Sequence, residues 1–83
     1  MRNTVGLDIS AETFDAVALI EGQTAYKKFK NNQDGIESLK NWINGQSIED
    51  GQNIYIIMEA TGNYYEAVAD NLADDYHVSV INP

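Results

Sequence analysis

The stretch "VGLDIS", Val5 to Ser10, sets Val5, Leu7 and Ile9 on one side of an extended chain and Gly6, Asp8 and Ser10 on the other. A period of two is the mark of a β-strand with one buried face, so residues 4–10 are read as a strand. An aspartate among small and apolar neighbours needs a reason. Further along, "IIMEATG", Ile56 to Gly62, closes an apolar run with Glu59. The two carboxylates raise one question, whether a single site holds both.

Working outward, "TFDAVALIE" at 13–21 continues as a second strand, and Glu21-Gly22-Gln23 turns the chain into a third strand at 24–30. The three make an antiparallel meander. In "YKKFK", alternation puts Lys28 and Lys30 on one face of the third strand, and the stretch is read as a lysine-protected edge rather than a binding patch. "NNQDGIESLKNWING" follows, with Asn32 as N-cap, Asp34 and Glu37 in the first turn, Ile36, Leu39, Trp42 and Ile43 at helical spacing, and Gly45 as the stop. "EDGQN" reads as a turn, and the nearly continuous apolar "IYIIM" as a strand covered on both faces. Asn63 with Glu66 resembles a capping box for a second helix whose buried stripe is Tyr65, Val68, Ala69 and Leu72. "HVSVI" is a fifth strand, ending at Asn82-Pro83. No internal repeat, low-complexity tract or linker is visible.

Composition narrows the function. Eighty-three residues, 43% of them hydrophobic and 22% charged, suit one small globular domain. The absence of cysteine excludes disulfides, zinc–thiolate sites and cysteine nucleophiles. The longest apolar run, Ile54 to Met58, is far below a membrane span and no signal peptide is visible, so a cytoplasmic chain with no membrane partner is expected. Thirteen acidic residues against five basic ones give a net charge of −8, which opposes approach to a polyanion.

The element order is β-β-β-α-β-α-β. Right-handed crossovers lay the fourth strand parallel to the first, which predicts a mixed sheet in order 3-2-1-4-5, with strand two antiparallel to strand one and the helices packed through Ile36, Leu39, Trp42, Val68 and Leu72. Asp8 and Glu59 then meet at the carboxyl ends of adjacent strands, the edge where open α/β sheets place ligands. Adjacent carboxylates repel unless something neutralises them. Mg²⁺, which takes oxygen ligands and is held by one or two carboxylates with water and substrate phosphates, would do so.

With "VGLDIS" on strand one and "MEATGNY" on strand four, the chain resembles the ribonuclease H-like, RuvC-like catalytic domain of the DEDD-type insertion-sequence transposases. The resemblance runs through essentially all 83 residues, including "VSVINP". It implies an α/β fold with a ribonuclease H-like mixed sheet, and roles for Asp8 and Glu59 as catalytic metal ligands for Mg²⁺. The other two aspartates of the set, and a serine nucleophile in a C-terminal domain, fall beyond the equivalent of Pro83. Residues 1–83 therefore look like the N-terminal part of a longer transposase that mobilises an insertion sequence by Mg²⁺-dependent strand cleavage and transfer. DNA is the implied partner, with an RNA guide in some members and homo-oligomers of the full-length enzyme. The fragment alone is expected to be inactive. Sugar kinases and actin-like ATPases share this element order, but their phosphate loop wants a glycine soon after the aspartate and "DISAET" has none. A non-catalytic interaction domain on the same fold is a third reading.

Each residue also has a plainer role to fill. Asp8 could cap the Ser10–Thr13 turn and Glu59 could be a solvated strand end. Thr61 and Gly62 are read as structural and Ser10 as a turn residue. His77 is read as ordinary, and Trp42, Tyr64 and Tyr65 as helix packing residues. Tyr64 is the one aromatic considered for a nucleotide contact.

Overall fold

A computed structural model describes residues 3–46, 54–60 and 62–81. Strands β1 (Asn3–Ile9), β2 (Thr13–Ile20) and β3 (Gln23–Lys30) are followed by α1 (Gln33–Asn44), β4 (Ile54–Ala60), α2 (Glu66–Leu72) and β5 (His77–Ile81). The sheet order is β3-β2-β1-β4-β5, with β1 antiparallel to β2 and parallel to β4. This is the expected ribonuclease H-like arrangement. The β2–β3 turn has φ of 51° at Glu21 and 79° at Gly22, the paired positive values of a two-residue turn whose twist matches its strands.

Alternation decides what is buried. Val5, Leu7 and Ile9 of β1, Phe14, Ala16, Ala18 and Ile20 of β2, Phe29 of β3, and Ile54, Ile56 and Met58 of β4 form one covered face. Against it lie Ile36, Leu39 and Ile43 of α1 and Val68 and Leu72 of α2, all in one core cluster. Phe29 links sheet and helix, stacking on Phe14 at 5.4 Å and meeting the Trp42 ring edge-on at 5.7 Å. The Asn32 Oδ1 accepts the Gly35 N–H at 2.8 Å and caps α1. Gly35 is buried against the Lys30 backbone, where any Cβ would run into the Lys30 carbonyl. That close approach admits only glycine.

Three details depart from the sequence reading. Only Asp34 lies in the first turn of α1 as an acid, and Glu37 instead accepts a hydrogen bond from Gln33 Nε2 at 3.3 Å. The Asn63–Glu66 capping box does not form: α2 starts at Glu66 behind Tyr65, with no side-chain cap, and the Glu66 N–H reaches only the Asn63 carbonyl at 3.3 Å. Gly62, at φ 71°, and the turn after it use up the residues that would have capped the helix. β4 is covered on one face only, because both helices pack on the side of Ile56 and Met58 while Ile57 stays 38% exposed. The expected turn at 49–53, Thr61 and Asn82-Pro83 lie outside the described residues. No helix among the described residues is long and apolar enough to cross a membrane.

Candidate functional site

The open face of the sheet carries the side chains that alternate with the core. Register places five of them in one row: Ile81 of β5 beside Glu59 of β4, Glu59 beside Asp8 of β1, Asp8 beside Asp15 of β2, and Asp15 beside Lys28 of β3. Neighbouring strands in a sheet run about 4.8 Å apart, so Asp8 and Glu59 are immediate neighbours on one face. Each is followed by a single residue of its strand, Ile9 and Ala60, so both sit at the carboxyl edge. They line an open cleft of about 430 Å³ with Gly6, Asp15, Val17, Tyr26 and Ile57. Gly6 lies between Val17 and Ile57 in register, and its missing side chain deepens the cleft there.

Asp8 and Glu59 are exposed, and among the described residues neither has a hydrogen-bond or ion-pair partner. Two like charges facing each other across strands are mildly destabilising. The turn after β1 does not call on Asp8, because Ser10 closes it by donating from Oγ and from N–H to the Thr13 carbonyl, both at 2.9 Å. Ser10 is thus a turn residue, as expected.

Asp15 was not singled out by sequence, although the alternating meander puts it on the face of Asp8. It is engaged where its neighbours are not: Tyr26 Oη donates to it at 2.7 Å and Lys28 Nζ lies 3.7 Å away. The Asp15 carboxylate accepting that hydrogen bond raises the Tyr26 pKa above the usual tyrosine value, with smaller contributions from desolvation and from the carboxylate charge. Asn31 was also missed. Its Nδ2 donates to the Ser10 carbonyl at 2.9 Å and to the Tyr64 carbonyl at 3.1 Å, tying together the two segments that follow the carboxylate-bearing strands. No periodicity reveals such a clamp, since it depends on where three loops meet.

The remaining candidates fall elsewhere. His77 stacks on Tyr55 at 4.7 Å, at the opposite end of the strands from Glu59. Trp42 and Tyr65 are half-buried against the core as expected, whereas Tyr64, also expected to pack, is 52% exposed because it lies in the turn that precedes α2. Among the described residues no group of three or more His, Cys, Asp or Glu side chains forms a metal cluster. Two exposed carboxylates stand side by side here, and carboxylate oxygens are the ligand type that hard divalent cations take.

The family model of the IS110-type DEDD transposases, described as a transposase, matches residues 5–83. The pilin gene-inverting proteins of Moraxella bovis and Moraxella lacunata are each 35% identical over 83 residues, covering 99% of this chain and 26% of their own length. The chain thus spans about a quarter of these curated relatives. Among solved structures, Archaeoglobus fulgidus Pelota matches with a TM-score of 0.62 and Pseudomonas aeruginosa YeaZ with 0.59, each at 13% identity over 99% of this chain, and over 27% and 44% of theirs. At that identity the likeness concerns the fold alone.

Proposed function

The chain belongs to the DEDD transposase family, and from that premise we propose that it is the N-terminal part of a DNA transposase or recombinase catalytic domain, with Asp8 and Glu59 as two of its metal-binding catalytic carboxylates. The observation that carries the reading is the register pairing of Asp8 with Glu59 on the open face, both exposed and both without a protein partner among the described residues. A pair of oxygen donors fits Mg²⁺, which keeps several waters and is completed by substrate phosphate. When bound, such an ion would supply Lewis-acid polarisation of a phosphoryl oxygen. Asp8 and Glu59 would hold the ion at the sheet edge, and Asn31 ties together the segments that flank them. The remaining ligands come from the part of a longer polypeptide that the relatives' length suggests, so this chain alone is inactive. The ATPase reading is disfavoured by the Ser10–Thr13 turn, which has no glycine to let a phosphate approach the backbone.

The test is a Mg²⁺-dependent strand-cleavage assay on the longer polypeptide. Asp8→Asn or Glu59→Gln should lower cleavage by more than about a hundredfold, beyond the loss usual for groups that merely orient a ligand. Near wild-type cleavage by either variant, or cleavage by residues 1–83 alone, contradicts the assignment.

A further inference from the structure

Three of the five basic residues of this acidic chain lie on β3, and two of them, Lys28 and Lys30, alternate with Tyr26 on its open face. β3 is the edge strand of the sheet, next to β2 only. Tyr26 is 63% exposed and the Lys28 side chain 59% exposed. The Tyr26 hydroxyl is anchored on Asp15, which restrains a ring that stays largely exposed. Lys28 is in register with Asp15, hence in the same row as Asp8 and Glu59, about 9.5 Å from the first and 14 Å from the second by strand spacing. Among the described residues Lys30 makes no ion pair. Edge protection alone asks for a charge on the strand, not for an exposed aromatic two and four residues before the lysines on one face. A flat ring beside cations spaced about 6.7 Å apart along a strand is the arrangement that single-stranded nucleic acids use, with bases stacked on the ring and phosphates on the charges.

We propose that Tyr26, Lys28 and Lys30 form a contact strip for a single DNA strand, holding its phosphodiester backbone so that it runs across the sheet toward Asp8 and Glu59. The direction of the strand rests on the reading of Asp8 and Glu59 given above, whereas the contact itself does not. Asp15 sits between the two regions and pairs with Lys28 at 3.7 Å, so a phosphate on Lys28 shares that ammonium with the Asp15 carboxylate, while Lys30 makes no ion pair among the described residues.

The test is a titration of ¹⁵N-labelled residues 1–83 with the oligonucleotide d(T)₈, in EDTA and at three salt concentrations, followed by amide chemical shifts. Working without divalent ions separates the strip from the carboxylate pair, so the cleavage assay and this one fail independently. Saturable shifts centred on Tyr26, Lys28 and Lys30 are expected, with log Kd rising with log[salt] at a slope of about 1.4 for two phosphate contacts. Lys28→Gln and Lys30→Gln should each lower that slope by about 0.7 and together abolish it, and Tyr26→Ala should weaken binding about tenfold. Either single lysine variant suffices if the double variant does not fold. Lys40→Gln, on α1 and paired with Asp75, should change nothing. An absence of shifts on β3, an equal loss with Lys40→Gln, self-association of the lysine variants without any loss of DNA contact, or tighter binding of r(U)₈ than of d(T)₈ overturns the proposal.

Discussion

The two faces of one sheet follow opposite rules, although the same strands supply both. On the covered face, Val5, Phe14 and Ile56 are fully buried, sealed by Leu39 of α1 and Val68 of α2. On the open face, Val17, Tyr26 and Ile57 are exposed beside Asp8, Asp15 and Glu59. Adjacent residues therefore belong to different regimes: Ile56 is sealed in the core and Ile57 is 38% exposed. The covered face holds the fold together. The open face collects charge and apolar surface that folding of this chain does not use, and that surplus is what a site consists of.

Truncation should expose this contrast most sharply. Phe14→Ala removes a ring that stacks on Phe29 and should cost about 3–5 kcal/mol, enough to unfold much of a domain this small. Ile56→Ala should cost about 2–5 kcal/mol, whereas Ile57→Ala one residue later should stay within about 1 kcal/mol. Urea unfolding of the three variants checks the order, and equal losses at 56 and 57 would mean that the open face is also packed. Gly35→Ala drives a Cβ into the Lys30 carbonyl and should cost about 1–3 kcal/mol by the same measurement. Asn32→Ala removes the α1 cap and should cost about 1 kcal/mol.

The smallest effect belongs to the open face and appears only at high pH. The Tyr26 pKa is raised, chiefly by its hydrogen bond to Asp15. Its contribution is therefore fully present below the ordinary tyrosine pKa and lost as pH rises through the higher folded value. In ultraviolet titration Tyr26 should ionise later than an exposed tyrosine, and Asp15→Asn should bring it back toward the usual range. An unchanged Tyr26 titration in that variant would show that the hydrogen bond is not the cause.

The covered face was legible in the sequence because burial writes itself as a period. Val5, Leu7 and Ile9 alternate, Ile36, Leu39 and Ile43 follow a helical spacing, and the right-handed crossover rule then fixes which strands adjoin. The same rule also sets Asp8 beside Glu59, where the register places them. Periodicity fails where apolar residues do not mark burial. "IYIIM" reads as buried on both sides, yet hydrophobicity alone cannot say that both helices choose one face, and Ile57 is left in the open. The Asn63–Glu66 spacing matched a capping box, but a backbone turn through Gly62 took precedence. Asp15 and Asn31 were passed over because one depends on hairpin register and the other on three loops converging.

The central claim is that Asp8 and Glu59 face each other as an unneutralised pair kept for a cation, at some cost to stability. Unfolding midpoints of residues 1–83, Asp8→Asn and Glu59→Gln, measured with increasing Mg²⁺ at constant ionic strength, test it directly. Without Mg²⁺ each variant should be more stable than the parent by about 0.2–1 kcal/mol, the usual size of a relieved cross-strand repulsion. Added Mg²⁺ should stabilise the parent chain, by about 1.4 kcal/mol at ten times its Kd, and leave both variants unmoved. Destabilised variants, or the same Mg²⁺ response in all three proteins, would contradict the claim.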